Sequence, residues 1–139
     1  MISSNILLSI CITTRNRKSY LLEFLNQFTG LSYDVLEVVV TDASDDGLKL
    51  DSHELELFSS QGFHFNYFEV SDSSGYDEDM NLAVIRARGD FVWPISDDDA
   101  ISLDYISQVI EELRSNFDNN VFIFKAQVLE SKMSNILMD

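Results

Sequence analysis

Apolar and polar positions along the chain fall into alternating strand-like and helix-like stretches. Residues 5–13 (NILLSICIT) form a short run rich in β-branched residues with polar flanks, the pattern of a strand buried on both faces. Over 17–29, Tyr20, Leu21, Phe24, Leu25 and Phe28 recur at helical spacing, and Gly30 follows as a stop. Residues 35–41 (VLEVVVT) predict a second strand that runs directly into a polar loop, DASDDG. In 48–60 the pattern is ambiguous: Leu55 and Phe58 would line a short helix, with Gly62 ending it. Phe63, Phe65 and Tyr67 then alternate with His64 and Asn66, which predicts a third strand with one face partly exposed. Met80, Ala83, Val84 and Ala87 turn one face of a further helix inward, and Gly89 closes it. Residues 90–96 (DFVWPIS) predict a fourth strand, with Pro94, which lacks an N–H, near a strand end or at a bulge. Tyr105, Ile106, Val109, Ile110, Leu113 and Phe117 give the clearest helical stripe. Val121 to Leu129 read as a fifth strand, and the last ten residues as a tail. This alternation predicts one α/β domain over 1–139, with a mostly parallel sheet flanked by helices and right-handed crossovers.

Composition narrows the function. The mixture, 45% apolar and 24% charged, is that of a globular protein and excludes low-complexity disorder or a collagen-like chain. Nine basic against twenty-four acidic residues give a net charge of −15, a surface that repels DNA, RNA and anionic lipid, so no nucleic-acid partner is expected. The single cysteine, Cys11, excludes an intrachain disulfide and fits a reducing compartment. The apolar run from Ile6 to Ile12 is broken by Ser9 and is far shorter than the ~20 residues that cross a bilayer. No Lys or Arg precedes it, unlike a secretory signal. A cytoplasmic protein is expected, with a peripheral seat on the inner face of the membrane left open.

In parallel α/β sheets, ligands bind beyond the carboxyl ends of the strands. The loops there are TTRNRK (13–18), DASDDG (42–47) and DDD (97–99), and all three are expected to open on one edge of the sheet. Asp97, Asp98 and Asp99 repel one another unless a cation or strong donors offset the charge. Hard oxygen ligands of this kind suit Mg²⁺ or Mn²⁺. A solvated turn with an acidic cap for the following helix is the alternative. Asp42 can accept from a base N–H or from ribose hydroxyls, or it can close an Asx turn. Arg15, Arg17 and Lys18 could meet an anionic ligand, with Arg15 stacked on a base, or could simply open a helix. Asp77, Glu78 and Asp79 are explained by the dipole of the helix they begin. Arg88, close to the fourth strand, could support the acidic site. His53 and His64 lack metal-ligand spacing, and Cys11 and Trp93 read as core. No GxSxG, P-loop or GxGxxG string is present, which removes the serine-hydrolase, Walker and dinucleotide readings. A phosphoacceptor receiver domain would need its acidic pair after strand one, where this chain has TTRN, and a sugar nucleotidylyltransferase would need a glycine-rich loop there.

Three segments together carry a resemblance: SICITTRNRKSYLLEFL, VVVTDASDDG and GYDEDMNLAVIRARGDFVWPISDDD. In this order they resemble the opening strand, the aspartate-bearing loop and the glycine-led helix with DXD element of family 2 glycosyltransferases. The flavour is that of abequosyltransferase-like members, which serve bacterial surface-polysaccharide synthesis. The resemblance covers roughly 6–117 and implies a Rossmann-like GT-A nucleotide-binding half. It implies inverting transfer of a sugar from a nucleotide-diphosphate sugar to the hydroxyl of an acceptor glycan or lipid-linked sugar. Carried over by position, Thr14 and Arg15 would border the base, Asp42 would bind it, and Asp97 would lie by the ribose. Asp98, with Asp99 as a second ligand, would hold Mg²⁺ or Mn²⁺ against the diphosphate. Thr13 and Arg15 stand where the family has Pro and Tyr, so aromatic base stacking is lost. The family's general base lies well downstream, so the resemblance assigns it to no residue here. Donor and metal binding with little or no transfer are therefore expected, with a catalytically inactive nucleotide-binding or interaction module as the alternative. Apolar surface left open at the cut end would favour a homo-oligomer.

Overall fold

The computed structural model describes residues 5–72, 75–118 and 121. Strands β1 (Leu8–Thr14), β2 (Ser32–Asp42), β3 (Gly62–Glu69) and β4 (Phe91–Ser96) form one sheet in the order β3-β2-β1-β4, with every pairing parallel. Between and after them lie helices α1 (Lys18–Asn26), α2 (Ser52–Ser59), α3 (Tyr76–Arg86) and α4 (Leu103–Ser115). The chain builds outward from β1 to β3 and then returns through α3 to lay β4 on the other side of β1. Crossovers of constant hand then put α3 on the opposite face from α1 and α2, and a crevice opens where the order reverses.

The two faces have different cores. Leu8, Ile10 and Ile12 of β1 and Leu36, Val38 and Val40 of β2 pack with Phe24 and Phe28, with Phe58 of α2, and with Ile106 and Ile110 of α4. The alternate residues meet α3 in a much smaller cluster of Cys11, Val39 and Ala83. Both faces of β1 are covered, so all seven of its residues are buried, the apolar Leu8, Ile10, Cys11 and Ile12 together with Ser9, Thr13 and Thr14. In α4 the buried residues are Ile106, Val109, Ile110 and Leu113, and Ser102 caps the helix by accepting from the Tyr105 amide. The ambiguous stretch 48–60 resolves into a 3₁₀ turn, Asp46–Leu48, followed by α2. A capping box starts α2: Asp51 accepts from the Glu54 amide while the Glu54 carboxylate accepts from the Asp51 amide. Helix α1 stops at Asn26, before the expected 29, and the chain turns through Gly30 at φ 86°.

Pro94 corrects the expectation of a strand end or bulge. It sits inside β4, in register with Cys11. The Phe91 amide donates to Leu7 O, so residues 91, 93 and 95 turn their ladder groups toward β1. The missing N–H of Pro94 therefore faces the outer edge, which pairs with no described strand. The expected fifth strand, 121–129, and the tail lie outside the described residues except for Val121, which is exposed and belongs to no element. Among the described residues, no helix is long and apolar enough to cross a membrane.

Candidate functional site

The carboxyl ends of β1, β2 and β4 place three of the predicted residues side by side. Thr14 and Asp42 end their strands as register partners. Ser96, the last residue of β4, lies beside Thr13, which sets Asp97 next to Thr14. The Thr14 hydroxyl donates to Asp97 Oδ2 at 2.9 Å. Thr14, Asp42 and Asp97 are all buried, at 4%, 1% and 4% exposure. Arg15 follows Thr14 on the rim and is exposed.

Asp42 is held on both oxygens. Oδ1 accepts from the Ser44 amide at 2.9 Å, which is the Asx turn. Oδ2 accepts from the Tyr67 hydroxyl, which itself accepts from the Leu50 amide at 3.2 Å. Burial, and then the Asp42 carboxylate, push the Tyr67 phenol above its usual range, so it stays a donor. The loops after β1 and β2 are also tied together. The Asn16 amide donates to Ser44 Oγ at 2.7 Å, and its side-chain oxygen accepts from the Asp45 amide at 2.9 Å. Asn16 holds φ 54°, a left-handed conformation that asparagine tolerates better than most residues.

The acidic triplet is a tight turn. The Asp99 amide donates to Ser96 O at 3.2 Å, and Asp99 Oδ2 accepts from the Ser96 amide at 3.0 Å. Ser96 Oγ donates to Asp98 Oδ1 at 2.6 Å. The helix-cap alternative does not describe the triplet, because Ser102 caps α4. Mutual repulsion is offset by Arg17, whose Nη2 lies 3.5 Å from Asp97 Oδ1 and 3.3 Å from Asp98 Oδ2. The same guanidinium lies 4.4 Å from the centre of the Tyr20 ring. Burial, partly opposed by Thr14 and Arg17, raises the Asp97 carboxyl above its usual range. The Ser96 hydroxyl foremost, with Arg17, holds Asp98 below it. Gln27, just past α1, pins the next loop: its Oε1 accepts from the Ile101 amide at 2.8 Å.

Among the described residues, no three His, Cys, Asp or Glu side chains are arranged as a ready metal cage. The donor chemistry nevertheless suits a hard cation. Asp98 is half-exposed, and its side-chain partners among the described residues are the Ser96 hydroxyl and the Arg17 guanidinium. Mg²⁺ is commonly bound by one or two carboxylates, with waters and substrate phosphates completing its shell.

Several residues lie elsewhere. Arg88, expected near the acidic site, instead grips Glu37, with its amide 2.8 Å from Oε1 and its Nε 2.8 Å from Oε2. Glu37 is fully buried on the α3 side of β2 and also accepts from Ser9 Oγ at 2.6 Å and from the Asn66 amide group. Burial is the largest influence on it and opposes its charge. The Arg88 amide, the Ser9 hydroxyl and the Arg88 guanidinium together outweigh that and hold the carboxyl below its usual range. A lone acid inside a strand covered on both faces was the legible signal for this cluster; nothing in the alternation of β3 singled out Tyr67. His53 and His64 are exposed. Cys11 is buried, and burial foremost pushes its thiol up to about 12.

The family model described as glycosyl transferase family 2 matches residues 9–131. Abequosyltransferase RfbV of Salmonella typhimurium is 30% identical over 116 residues, covering 81% of this chain and 34% of RfbV. The crystal structure of S. aureus TarS 1–349 superposes with a TM-score of 0.68 at 20% identity, covering 86% of this chain and 39% of that one. The same TarS segment in complex with UDP-GlcNAc gives a TM-score of 0.66 at 21% identity, covering 86% and 37%. The chain thus spans between a third and two-fifths of these relatives' lengths.

Proposed function

Because this chain belongs to glycosyl transferase family 2, we propose that its rim binds the nucleotide-diphosphate sugar for an inverting transfer to an acceptor hydroxyl. The observation that carries the reading is the junction of Thr14, Asp42 and Asp97, three buried polar residues at the carboxyl ends of three strands on one edge. The TarS structures with UDP-GlcNAc and with UDP support a nucleotide sugar as the ligand class. The similarity to RfbV, an abequosyltransferase, supports sugar transfer as the chemistry, and in this reading the acceptor is a glycan or lipid-linked sugar of a surface polysaccharide.

In this reading Asp42 accepts from an N–H of the base, and Tyr67 and Ser44 fix the carboxylate's direction before the ligand arrives. Such preorganisation lowers the ordering cost of binding. Thr14 and Arg15 border the base. Asp97, held by Thr14, takes a ribose hydroxyl. Asp98, with Asp99 beside it, holds Mg²⁺ or Mn²⁺. When bound, the ion neutralises charge on the departing diphosphate as a Lewis acid. It also explains how a chain of net charge −15 accepts an anionic donor.

The test is calorimetry with UDP and Mn²⁺. Asp98→Ala should abolish the metal-dependent part of UDP binding. Asp42→Ala should weaken UDP at least tenfold, a loss of about 1.4 kcal/mol, while leaving Mn²⁺ affinity within about twofold. Unaltered binding by Asp98→Ala would remove the metal assignment, and equal loss of both ligands in Asp42→Ala would indicate damage to the fold.

A further inference from the structure

All four oxygens of Asp97 and Asp98 are engaged. Two accept from hydroxyls of the sheet rim, Thr14 on Asp97 Oδ2 and Ser96 on Asp98 Oδ1. The other two, Asp97 Oδ1 and Asp98 Oδ2, face the same nitrogen of Arg17. The neighbouring cation, Lys18, is committed to Glu54 at 2.8 Å. The two kinds of partner differ in how they can leave. Thr14 and Ser96 carry short side chains on paired strands. Arg17 precedes α1 on a long, 41%-exposed side chain, and one face of its guanidinium already rests on Tyr20. A cation reaching Asp98 must meet this guanidinium, and two cations on one carboxylate oxygen repel.

We propose that Arg17 is a resident counter-ion of the donor site, exchanged for the divalent cation. It holds Asp97 and Asp98 together while the site is without donor, and swings aside on Tyr20 as the metal ion enters. Arg17 thereby sets the metal concentration at which the site loads. This inference rests on Asp98 being a metal ligand, and the experiment separates the two ideas.

Mn²⁺ is titrated calorimetrically, without nucleotide, into the full chain and into its Arg17→Gln and Arg17→Lys variants at low salt. Removing the competing charge should tighten Mn²⁺ binding by about two- to fivefold in Arg17→Gln, the worth of one half-exposed ion pair. Arg17→Lys keeps the charge and should stay closer to the unmodified chain. In the unmodified chain, a ¹⁵N-edited spectrum should show the Arg17 Nε–H signal moving with Mg²⁺ along the binding curve, a reading that needs no variant to fold. Equal or weaker Mn²⁺ binding in Arg17→Gln, or an Arg17 signal unmoved at saturating Mg²⁺, overturns the exchange and leaves the metal assignment standing. No Mn²⁺ binding by any of the three proteins overturns both.

Discussion

Glu37→Ala tests the reasoning about buried charge most sharply. The carboxylate is fully buried and accepts from Ser9 Oγ, the Asn66 amide group, and the Arg88 amide and Nε. Truncation leaves those donors facing a cavity. A donor left unsatisfied in the interior costs about 1–3 kcal/mol. Arg88 is half-exposed and can turn to water, so its guanidinium adds little. The Ser9, Asn66 and Arg88 backbone donors then give a loss of about 3–5 kcal/mol. For a chain of this size the melting temperature should fall by roughly 10–17 °C. The assay is thermal and urea unfolding from pH 7 down to pH 3. The Glu37 carboxyl lies below its usual value in the fold. Its stabilisation is therefore complete above the unfolded pKa of about 4.3 and fades as pH falls through the folded value. The gap between the unmodified chain and Glu37→Ala should accordingly narrow toward pH 3. A loss under about 1 kcal/mol at pH 7, or a gap that widens on acidification, would refute this account.

We predict three further outcomes. Tyr67→Phe removes a donor to Asp42 and an acceptor for the Leu50 amide, so stability should drop by about 1–2 kcal/mol and UDP should bind several-fold more weakly; unchanged affinity would show that Asp42 needs no support. Gly89→Ala would place a Cβ 2.7 Å from Ser9 Oγ and 2.8 Å from the Ser9 backbone nitrogen, and overpacking against a strand should cost about 2 kcal/mol or more in a urea melt. Cys11, buried with its thiol pushed up to about 12, should react with a thiol reagent only at the rate of unfolding; prompt labelling at pH 8 would contradict its placement under α3.

Periodicity made the architecture readable because both patterns have a large physical cause. The stripe of α4 is read directly from its four buried residues, and β1 is buried throughout because helices cover both faces, which leaves Leu8, Ile10, Cys11 and Ile12 as its apolar signal. The rim was legible for a related reason: strand ends are marked by the change from apolar to polar, at Thr14, Asp42 and Asp97. Three features were less legible. The start of α2 depends on a reciprocal hydrogen-bond pair, Asp51 with Glu54, and not on hydrophobicity. Pro94 lies inside β4 because the outer edge of that strand pairs with no described strand, and sidedness along an edge leaves no mark on composition. The partners of Arg17 and Arg88 are non-local, 80 and 81 residues away or 51 residues away, and long side chains can reach several acids equally close in sequence. The pairing of Arg88 with Glu37 follows only once α3 is known to cross the face that carries Glu37.

The outer flank of β4 has a consequence for solution behaviour. A foreign strand seeking to extend a sheet there would look for the outward amides of residues 92, 94 and 96. Pro94 offers none, and the Ser96 amide is already spent on Asp99. Among the described residues of this flank, Val92 is left to donate, so the flank resists the intermolecular zippering that open edges invite. An imino acid and a spent amide thus work together as a guard against fibre growth along this flank.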